Sequence, residues 1–439
     1  MSELEIGWLL FGVTTLVLFS GVPIAFGLLS VSIGFLWIFQ GPASLAAVGR
    51  TFFEEMASFV LLTIPMFILL GAAIGVSRAG SDIYESLHRW LARVPGGLVI
   101  ANILACGMFS AVCGSSPATA AAIGKVGIPE MLRRGYPPTL ATGSICAGGT
   151  LGILIPPSVT LILYGIATET SIGRLFLAGV VPGVLLVLLF AAYSWIYSLF
   201  QASTSALRSS ERYSLREKMD GLGRVMPFLV IMVVIAVAMY GGWATPSEIA
   251  ALSAFLALLL VFVIYRATSA REVWAIFSDT VRESTMIIMI IGAAGLFGYM
   301  MSLLYVTQTM ADALVAWNLD RWTLLIFFNV LLLILGCFLP PVAIILMTMP
   351  ILQPVLEAND FNLIWFGILL TINMEVGLIT PPVGLNLYVI RGVAPQVPLP
   401  QVLLGSLPFV VIMLLFMVVL SIFPGIALWL PDTLMGPGS

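Results

Sequence analysis

The sequence predicts an all-α polytopic membrane protein. Of its 439 residues, 60% are hydrophobic and only 9% are charged, whereas soluble domains are about 45–50% apolar and about 25% charged. The apolar residues form runs of about 20, the length that a helix needs to cross a bilayer. Soluble enzymes, coiled coils and disordered chains are therefore excluded. The formal net charge of -3 is not associated with a basic block that would bind nucleic acid.

Hydropathy predicts a series of membrane segments that are separated by short polar stretches. They are expected at 6–39, 52–77, 96–114, 139–167, 175–200, 225–241, 246–265, 286–305, 323–339, 363–392 and 404–430. The first segment is too long for one straight span, and Gly21-Val22-Pro23 is its expected break. A polar linker at 201–224 divides the chain nearly in half, and its basic residues favour the cytoplasmic side.

Two stretches have amphipathic rather than uniformly apolar periodicity. In 78–93 and in 270–283, apolar residues fall on one helical face and charged residues on another. We interpret each as a helix that lies in the membrane interface. An ordinary cytoplasmic loop helix is the alternative for both.

The two halves of the chain share an ordered set of residues. Residues 152–157 (GILIPP) correspond to residues 377–382 (GLITPP). The remaining matches occur at nearly the same offset: Gly114 with Gly336, Pro129 with Pro350, Gly179 with Gly405, and Pro182 with Pro408. Such a set indicates an internal repeat.

The matched Pro-Pro pairs interrupt apolar segments. Pro156-Pro157 and Pro381-Pro382 must each break a helix, because proline removes a backbone donor. An unpaired backbone group in lipid costs several kcal/mol, so such breaks occur where they are buried in protein or line a cavity. Paired broken helices therefore predict a transport site. Proline kinks that only shape packing are the alternative.

Each half carries a second interruption upstream of the Pro-Pro pair. The apolar segments on either side of Ser115–Thr119 and of Leu339–Pro341 are too short to span a membrane. We therefore expect a re-entrant hairpin with its tip at each of these positions. The first tip is rich in side-chain hydroxyl groups, whereas the second has almost none. A functional asymmetry between the hairpins is expected.

Oxygen atoms at these breaks define the expected chemistry. Freed carbonyls and neutral side-chain oxygens suit a cation such as Na⁺, whereas half-helix N-termini attract an anionic group. The candidate side chains are Ser115, Ser116, Thr119, Thr150, Ser158 and Thr160 in the first half, and Asn373, Thr380 and Asn386 in the second. Arg391 is suited to bidentate binding of a carboxylate or sulfonate. Structural pairing or a surface position is the alternative for Arg391 and for the nearby Glu375.

The sequence lacks the residues that several other functional classes require. The single histidine, His88, and the isolated cysteines argue against His-dependent catalysis and against a zinc site. No P-loop motif is present to couple transport to a nucleotide. An intramembrane enzyme would need paired catalytic groups, and a pure scaffold would not need hydroxyl-rich broken helices.

Four motifs together resemble one known family. They are residues 114–124 (GSSPATAAAIG), 148–158 (GGTLGILIPPS), 168–179 (TETSIGRLFLAG) and 380–389 (TPPVGLNLYV). They are similar to the large membrane subunit of tripartite ATP-independent periplasmic (TRAP) transporters, the DctM family. The resemblance extends over essentially the whole chain.

The resemblance implies a fold, a mechanism and partners. Family members are sodium-driven secondary transporters of organic acids, with two inverted repeats and an elevator-type transport domain, in the bacterial inner membrane. The implied partners are a small DctQ-type membrane subunit, expected as a separate chain, and a soluble periplasmic substrate-binding protein. Na⁺ is the coupling ion and no other cofactor is expected. A stand-alone sodium/dicarboxylate symporter of the wider ion-transporter superfamily is the alternative.

The resemblance, together with the residue types near the breaks, predicts site residues and domains. The sodium-binding residues are expected to be Gly114, Ser115, Ser116, Thr119, Gly152, Pro156 and Ser158, with Leu339, Pro340, Thr380, Pro381, Gly384 and Asn386 from the second repeat. The substrate-binding residues are expected to be Ser115, Ser116, Pro117, Thr150, Asn386 and Arg391. The expected transport-domain halves are 96–174 and 323–400. Scaffold and arm segments are expected at 1–95, 175–224, 225–322 and 401–435.

Overall fold

A computed structural model describes residues 2–200, 213–241, 243–267, 269–316 and 320–436. The regular structure of these residues is helical throughout, without a β-strand. Seven of the described helices are long and apolar enough to cross a membrane. The predicted all-α polytopic membrane class is therefore confirmed. The first part of the predicted linker, 201–212, lies outside the described residues.

The first half of the chain forms ten α-helices. They are α1 Glu3–Phe19, α2 Ile24–Phe35, α3 Ala46–Met56, α4 Thr63–Val76, α5 Ala79–Leu91, α6 Gly97–Cys113, α7 Ser116–Arg133, α8 Pro138–Thr150, α9 Val159–Ala167 and α10 Ile172–Phe200. The predicted break at Gly21 is confirmed, and its φ of +85° suits glycine. The predicted helix over 78–93 is present as α5, with Ile83 and Tyr84 buried.

The second half adds ten more helices. They are α11 Leu215–Tyr240, α12 Pro246–Leu259, α13 Ala270–Leu303, α14 Val306–Ala316, α15 Arg321–Gly336, α16 Pro341–Ala358, α17 Leu363–Leu378, α18 Leu385–Val393, α19 Leu399–Ile422 and α20 Gly425–Met435. Short 3₁₀ or π turns follow some of the helices in both halves, including a 3₁₀ turn at Leu151–Ile153 after α8.

Three predicted segments have different boundaries in the structure. The amphipathic stretch 270–283 is not a separate helix, because a Ser269–Glu272 capping box starts α13 and no proline interrupts it before Leu303. Segment 404–430 is divided into α19 and α20 at Pro424, which lacks a backbone donor. Segment 52–77 begins within a separate amphipathic helix, α3, and its membrane-length part is Phe59–Val76.

The same order of helices and breaks occurs at both sets of matched residues. A helix pair (α6–α7 and α15–α16) precedes a broken helix (α8–α9 and α17–α18), and a long helix follows (α10 and α19). The peptide bonds Pro156-Pro157 and Pro381-Pro382 are both cis.

Close packing joins the first of these groups to the second. Helix α8 packs along α19, where a Cβ added at Gly143 would lie 2.1 Å from the Gly405 carbonyl carbon. Helix α18 packs against α7 and α8, and α16 packs against α9. These contacts bring the breaks of the two halves into one region.

Candidate functional site

The first hairpin tip is built against the first broken helix. Gly114 caps the C-terminus of α6: it adopts the left-handed conformation (φ +61°) and donates its N–H to the Ser110 carbonyl at 2.9 Å. A Cβ on Gly114 would lie 2.9 Å from the Pro157 carbonyl oxygen, and one on Gly152 would lie 3.1 Å from Ser115. The predicted proximity of this tip and this break is therefore present.

Ser158 holds the two parts of the first broken helix together. Its Oγ accepts a hydrogen bond from the Leu161 N–H at 3.3 Å and donates one to the Ile153 carbonyl at 2.5 Å. The side chain is fully buried. Ser158 thus caps α9 while satisfying a carbonyl at the end of the preceding 3₁₀ turn.

A buried contact joins the first half to the second. The Asn386 Nδ2 donates to Ser116 Oγ at 2.7 Å and to the Cys146 carbonyl at 3.3 Å. All three residues are fully buried. The Asn386 Oδ1 accepts no hydrogen bond from the described residues. A buried acceptor without a donor costs about 1–3 kcal/mol, so this oxygen is suited to a bound cation.

The second tip also meets its broken helix, but closer to the protein surface. A Cβ on Gly377 would lie 2.5 Å from the Gly336 carbonyl oxygen, and the Val383 N–H donates to the Cys337 carbonyl at 3.2 Å. Pro381, Pro382 and Val383 are exposed, whereas Gly152 and Pro157 at the first break are buried. The two breaks therefore differ in their access to the surroundings.

The remaining predicted residues of the second break lie around this exposed turn. Thr380 Oγ1 donates to the Val376 carbonyl at 2.6 Å, and Gly384 adopts a positive φ of 55° before α18 begins. Leu339 is half-buried and Pro340 is exposed at the tip between α15 and α16.

Other predicted residues have protein partners outside the Asn386–Ser116 contact. Thr150 Oγ1 donates to the Ala147 carbonyl at 2.7 Å and lies 4.0 Å from Met413 Sδ. The Arg391 Nη1 donates to the carbonyls of Pro395 (2.9 Å) and Val397 (2.5 Å), in the loop after α18. Pro117 and Thr119 lie in the first turn of α7, where Thr119 is fully buried.

Two polar features of the region were not predicted from the sequence. The Cys146 carbonyl is a partner of Asn386, and a backbone acceptor has no sequence signature. Asn329 is the other, because Asn373 Nδ2 donates to its carbonyl at 2.8 Å and to its Oδ1 at 3.2 Å. A lone amide within the apolar run of α15 was the available signal for Asn329.

Neutral oxygens are the ligands that the site provides. No group of three or more His, Cys, Asp or Glu residues that could hold a metal ion occurs within the described part of the chain. The donor set around Ser116 and Asn386 consists of hydroxyl, amide and carbonyl oxygens, which fits a hard monovalent cation. The same set does not fit a softer transition metal.

Many membrane helices, two of them broken beside hairpin tips, are typical of membrane transporters. The fold is similar to that of the Alcanivorax borkumensis YdaH transporter, with a TM-score of 0.63 and 15% sequence identity. The match covers 88% of this chain and 89% of the other.

The family is shown by the sequence comparisons. The profile described as "Tripartite ATP-independent periplasmic transporter, DctM component" matches residues 11–426. The chain is 37% identical to the C4-dicarboxylate TRAP transporter large permease protein DctM of Pseudomonas aeruginosa, over 90% of this chain and 91% of that protein.

A second relative is a longer protein. The Isethionate TRAP transporter permease protein DctMQ of Oleidesulfovibrio alaskensis is 34% identical over 96% of this chain and 65% of its own length. The chain belongs to the DctM family of TRAP transporter large permeases, and it is a transport protein rather than an enzyme.

Proposed function

We propose that the protein takes up an organic anion across the bacterial inner membrane, driven by a sodium gradient. The observation that carries the proposal is the buried contact between Ser116 and Asn386, which joins the two halves beside the helix breaks. The relatives named for a C4-dicarboxylate and for isethionate support a carboxylate or sulfonate substrate. Helix N-termini at the breaks favour such an anion.

The proposed cycle begins with sodium. Na⁺ binds oxygens from both repeats, including the predicted residues at the two tips and breaks, and orders the tips. The anion then binds between Ser115–Thr119 and Thr380–Asn386. Arg391 belongs to this proposal as a substrate contact that forms when its guanidinium leaves the Pro395 and Val397 carbonyls.

An elevator movement of one part of the molecule would complete transport. The proposal includes two inverted repeats and the transport-domain and scaffold segments predicted from the sequence. For two helices we propose a different assignment from the predicted domains: the close approach of Gly143 to Gly405 favours α19 moving with the hairpins rather than with the scaffold. The contacts of α10 with α6, α9 and α17 favour the same change for α10.

The proposed partners are a small DctQ-type membrane subunit and a soluble periplasmic binding protein. The length of the DctMQ relative beyond the matched region supports a functional association with a second membrane component. The binding protein would supply most of the initial substrate selection.

Reconstituted uptake tests the proposal. The chain in liposomes, with its small subunit and binding protein, should accumulate the anion when Na⁺ is outside, and replacement of Na⁺ by choline should abolish uptake. Undiminished uptake in choline would refute sodium coupling. Robust uptake by the chain alone would instead support the stand-alone symporter.

A further inference from the structure

Two side chains at the junction of α5 and α11 have no role in the proposed function. Lys218 Nζ, in the first turn of α11, lies 5.3 Å from the ring centroid of Trp90, in the last turn of α5. A cation in this position is attracted by the negative face of the indole. Trp90 is 45% exposed, so a molecule outside the protein can reach the pair.

The helix junction fixes the position of this pair. Arg89, which precedes Trp90, donates from Nη1 to the carbonyl of Glu217, which precedes Lys218, at 2.8 Å. The same guanidinium pairs with Glu85, and the Arg89 side chain is only 15% exposed. Because this contact is largely shielded from water, it holds the Trp90 and Lys218 side chains together at the surface.

The surface around the pair has an excess of cations. Arg93 is exposed and follows Trp90 by three residues, a spacing that makes side chains neighbours on a helical turn. Neither Lys218 nor Arg93 forms an ion pair with an acid of the described residues. Glu217 is engaged in the capping box that starts α11. Asp220 lies two residues after Lys218, about 200° around the helix. The cations at this surface are therefore available to an anion.

An exposed apolar face begins beside Lys218 and continues along α11. Leu215, Met219, Met226 and Val230 are all exposed. Their spacings of four, seven and four residues place them on one side of the helix. Helix α11 is a 26-residue candidate membrane span, and Lys218 lies in its first turn. The helix thus presents an apolar face to the bilayer, with a cation at its outer end.

We propose that the junction of α5 and α11 binds an anionic phospholipid. The phosphate oxygens accept hydrogen bonds from Lys218 Nζ and from the Arg93 guanidinium. The Trp90 indole lies at the level of the headgroup, where aromatic side chains are favoured. One acyl chain lies along the exposed face of α11. A zwitterionic lipid fits less well, because its cationic group would meet the same two cations.

The bound lipid would connect two parts of the molecule. Helix α5 packs against α6, the first helix of the first hairpin, as well as against α11. A headgroup held by Arg93 and Lys218 therefore joins the element beside that hairpin to the start of the second half. The site is an addition to the proposed transport function and does not depend on sodium coupling.

Lipid binding by the purified full chain tests the proposal. In native mass spectrometry, dioleoyl phosphatidylglycerol should be retained at lower concentration than dioleoyl phosphatidylcholine, which has the same acyl chains. Lys218→Gln should weaken the binding of phosphatidylglycerol about fivefold, which corresponds to about 1 kcal/mol. Lys218→Arg, which keeps the charge, should bind as wild type does. Equal retention of the two lipids by wild type would overturn the proposal.

Arg216→Gln is the matched control for Lys218→Gln. Arg216 is exposed on the same helix, and its replacement removes the same charge. Two residues correspond to about 200° around a helix, so Arg216 lies away from the side of α11 that carries Lys218. Its replacement should leave the affinity for phosphatidylglycerol unchanged. Equal weakening by both substitutions would show that the lipid responds only to the net charge, and the site would be rejected.

Thermal unfolding in detergent distinguishes the lipid from other occupants of this surface. Phosphatidylglycerol should raise the Tm of wild type more than that of Lys218→Gln, whereas inorganic phosphate at the same concentration should not. An equal rise with phosphate would replace the lipid by a free anion. Loss of the lipid-dependent rise when the small membrane subunit is bound would show that a protein covers this surface, which would also overturn the proposal.

Discussion

At the scale of single residues, a few buried polar atoms distinguish the core from ordinary helix packing. Ser116, Thr119 and Asn386 were recognised from the sequence because hydroxyl and amide groups are conspicuous in apolar runs. The pairing of Ser116 with Asn386 was not predictable, because it joins side chains 270 positions apart. The role of the Cys146 carbonyl was also not predictable, because every residue has a backbone carbonyl and the sequence does not mark the one that is used.

The Asn386 side chain yields the first prediction. Asn386→Ala removes the donor to Ser116 and the unpaired Oδ1 acceptor, so the apparent affinity for Na⁺ should fall by roughly 5- to 150-fold, for a loss of about 1–3 kcal/mol. The sodium dependence of uptake measures this change. Asn359→Ala is the control, because the Asn359 amide donates to the Val355 carbonyl in the last turn of the adjoining α16. Equal effects of the two substitutions would contradict a role in ion binding.

At the scale of helices, the breaks were predictable and several boundaries were not. The Pro-Pro pairs and the tip glycine at 114 have direct backbone consequences, so their positions could be located from the sequence. Helix α3 and the division between α19 and α20 were missed because hydropathy averages over short interruptions. The continuity of α13 was missed because a change from amphipathic to apolar periodicity does not by itself end a helix.

The contact between α8 and α19 yields a prediction about stability. A Cβ on Gly405 would lie 1.9 Å from the Thr139 carbonyl oxygen, so backbone atoms must move to admit any side chain. Gly405→Val should lower the free energy of unfolding by about 1–3 kcal/mol or more, which thermal unfolding in detergent would detect.

Gly223→Ala is the matched control for Gly405→Val. Outside the neighbouring backbone of α11, no atom of the described residues lies within 4 Å of a Cβ added at Gly223, and alanine in a helix is favoured over glycine by about 0.5–1 kcal/mol. This variant should therefore be unchanged or slightly more stable. A Gly405→Val protein as stable as wild type would contradict the close packing described for α8 and α19.

At the scale of the whole molecule, the elevator proposal requires one group of helices to slide past another. Phe297 and Met301 of α13 line the same cavity as Met347 and Ile351 of α16. Cross-linking Met301→Cys to Met347→Cys, in a background without the native cysteines, should arrest uptake, and a reductant should restore it.

A control cross-link lies within the group that we expect to move as one body. The rings of Phe190 and Phe409, on α10 and α19, are 5.1 Å apart. The pair Phe190→Cys and Phe409→Cys should tolerate cross-linking with little change in uptake. Undiminished transport through a cross-linked α13–α16 pair would exclude sliding at that contact.

The α8–α19 contact also has a consequence for how the protein is made. Helix α8 ends at Thr150, whereas its closest packing partner is not synthesised until Leu399–Ile422. During translation, the face of α8 that carries Gly143 must therefore remain uncovered in the membrane until most of the chain has emerged. The last long helix completes the core, so a chain that stalls before residue 399 leaves that face uncovered and open to the wrong neighbours.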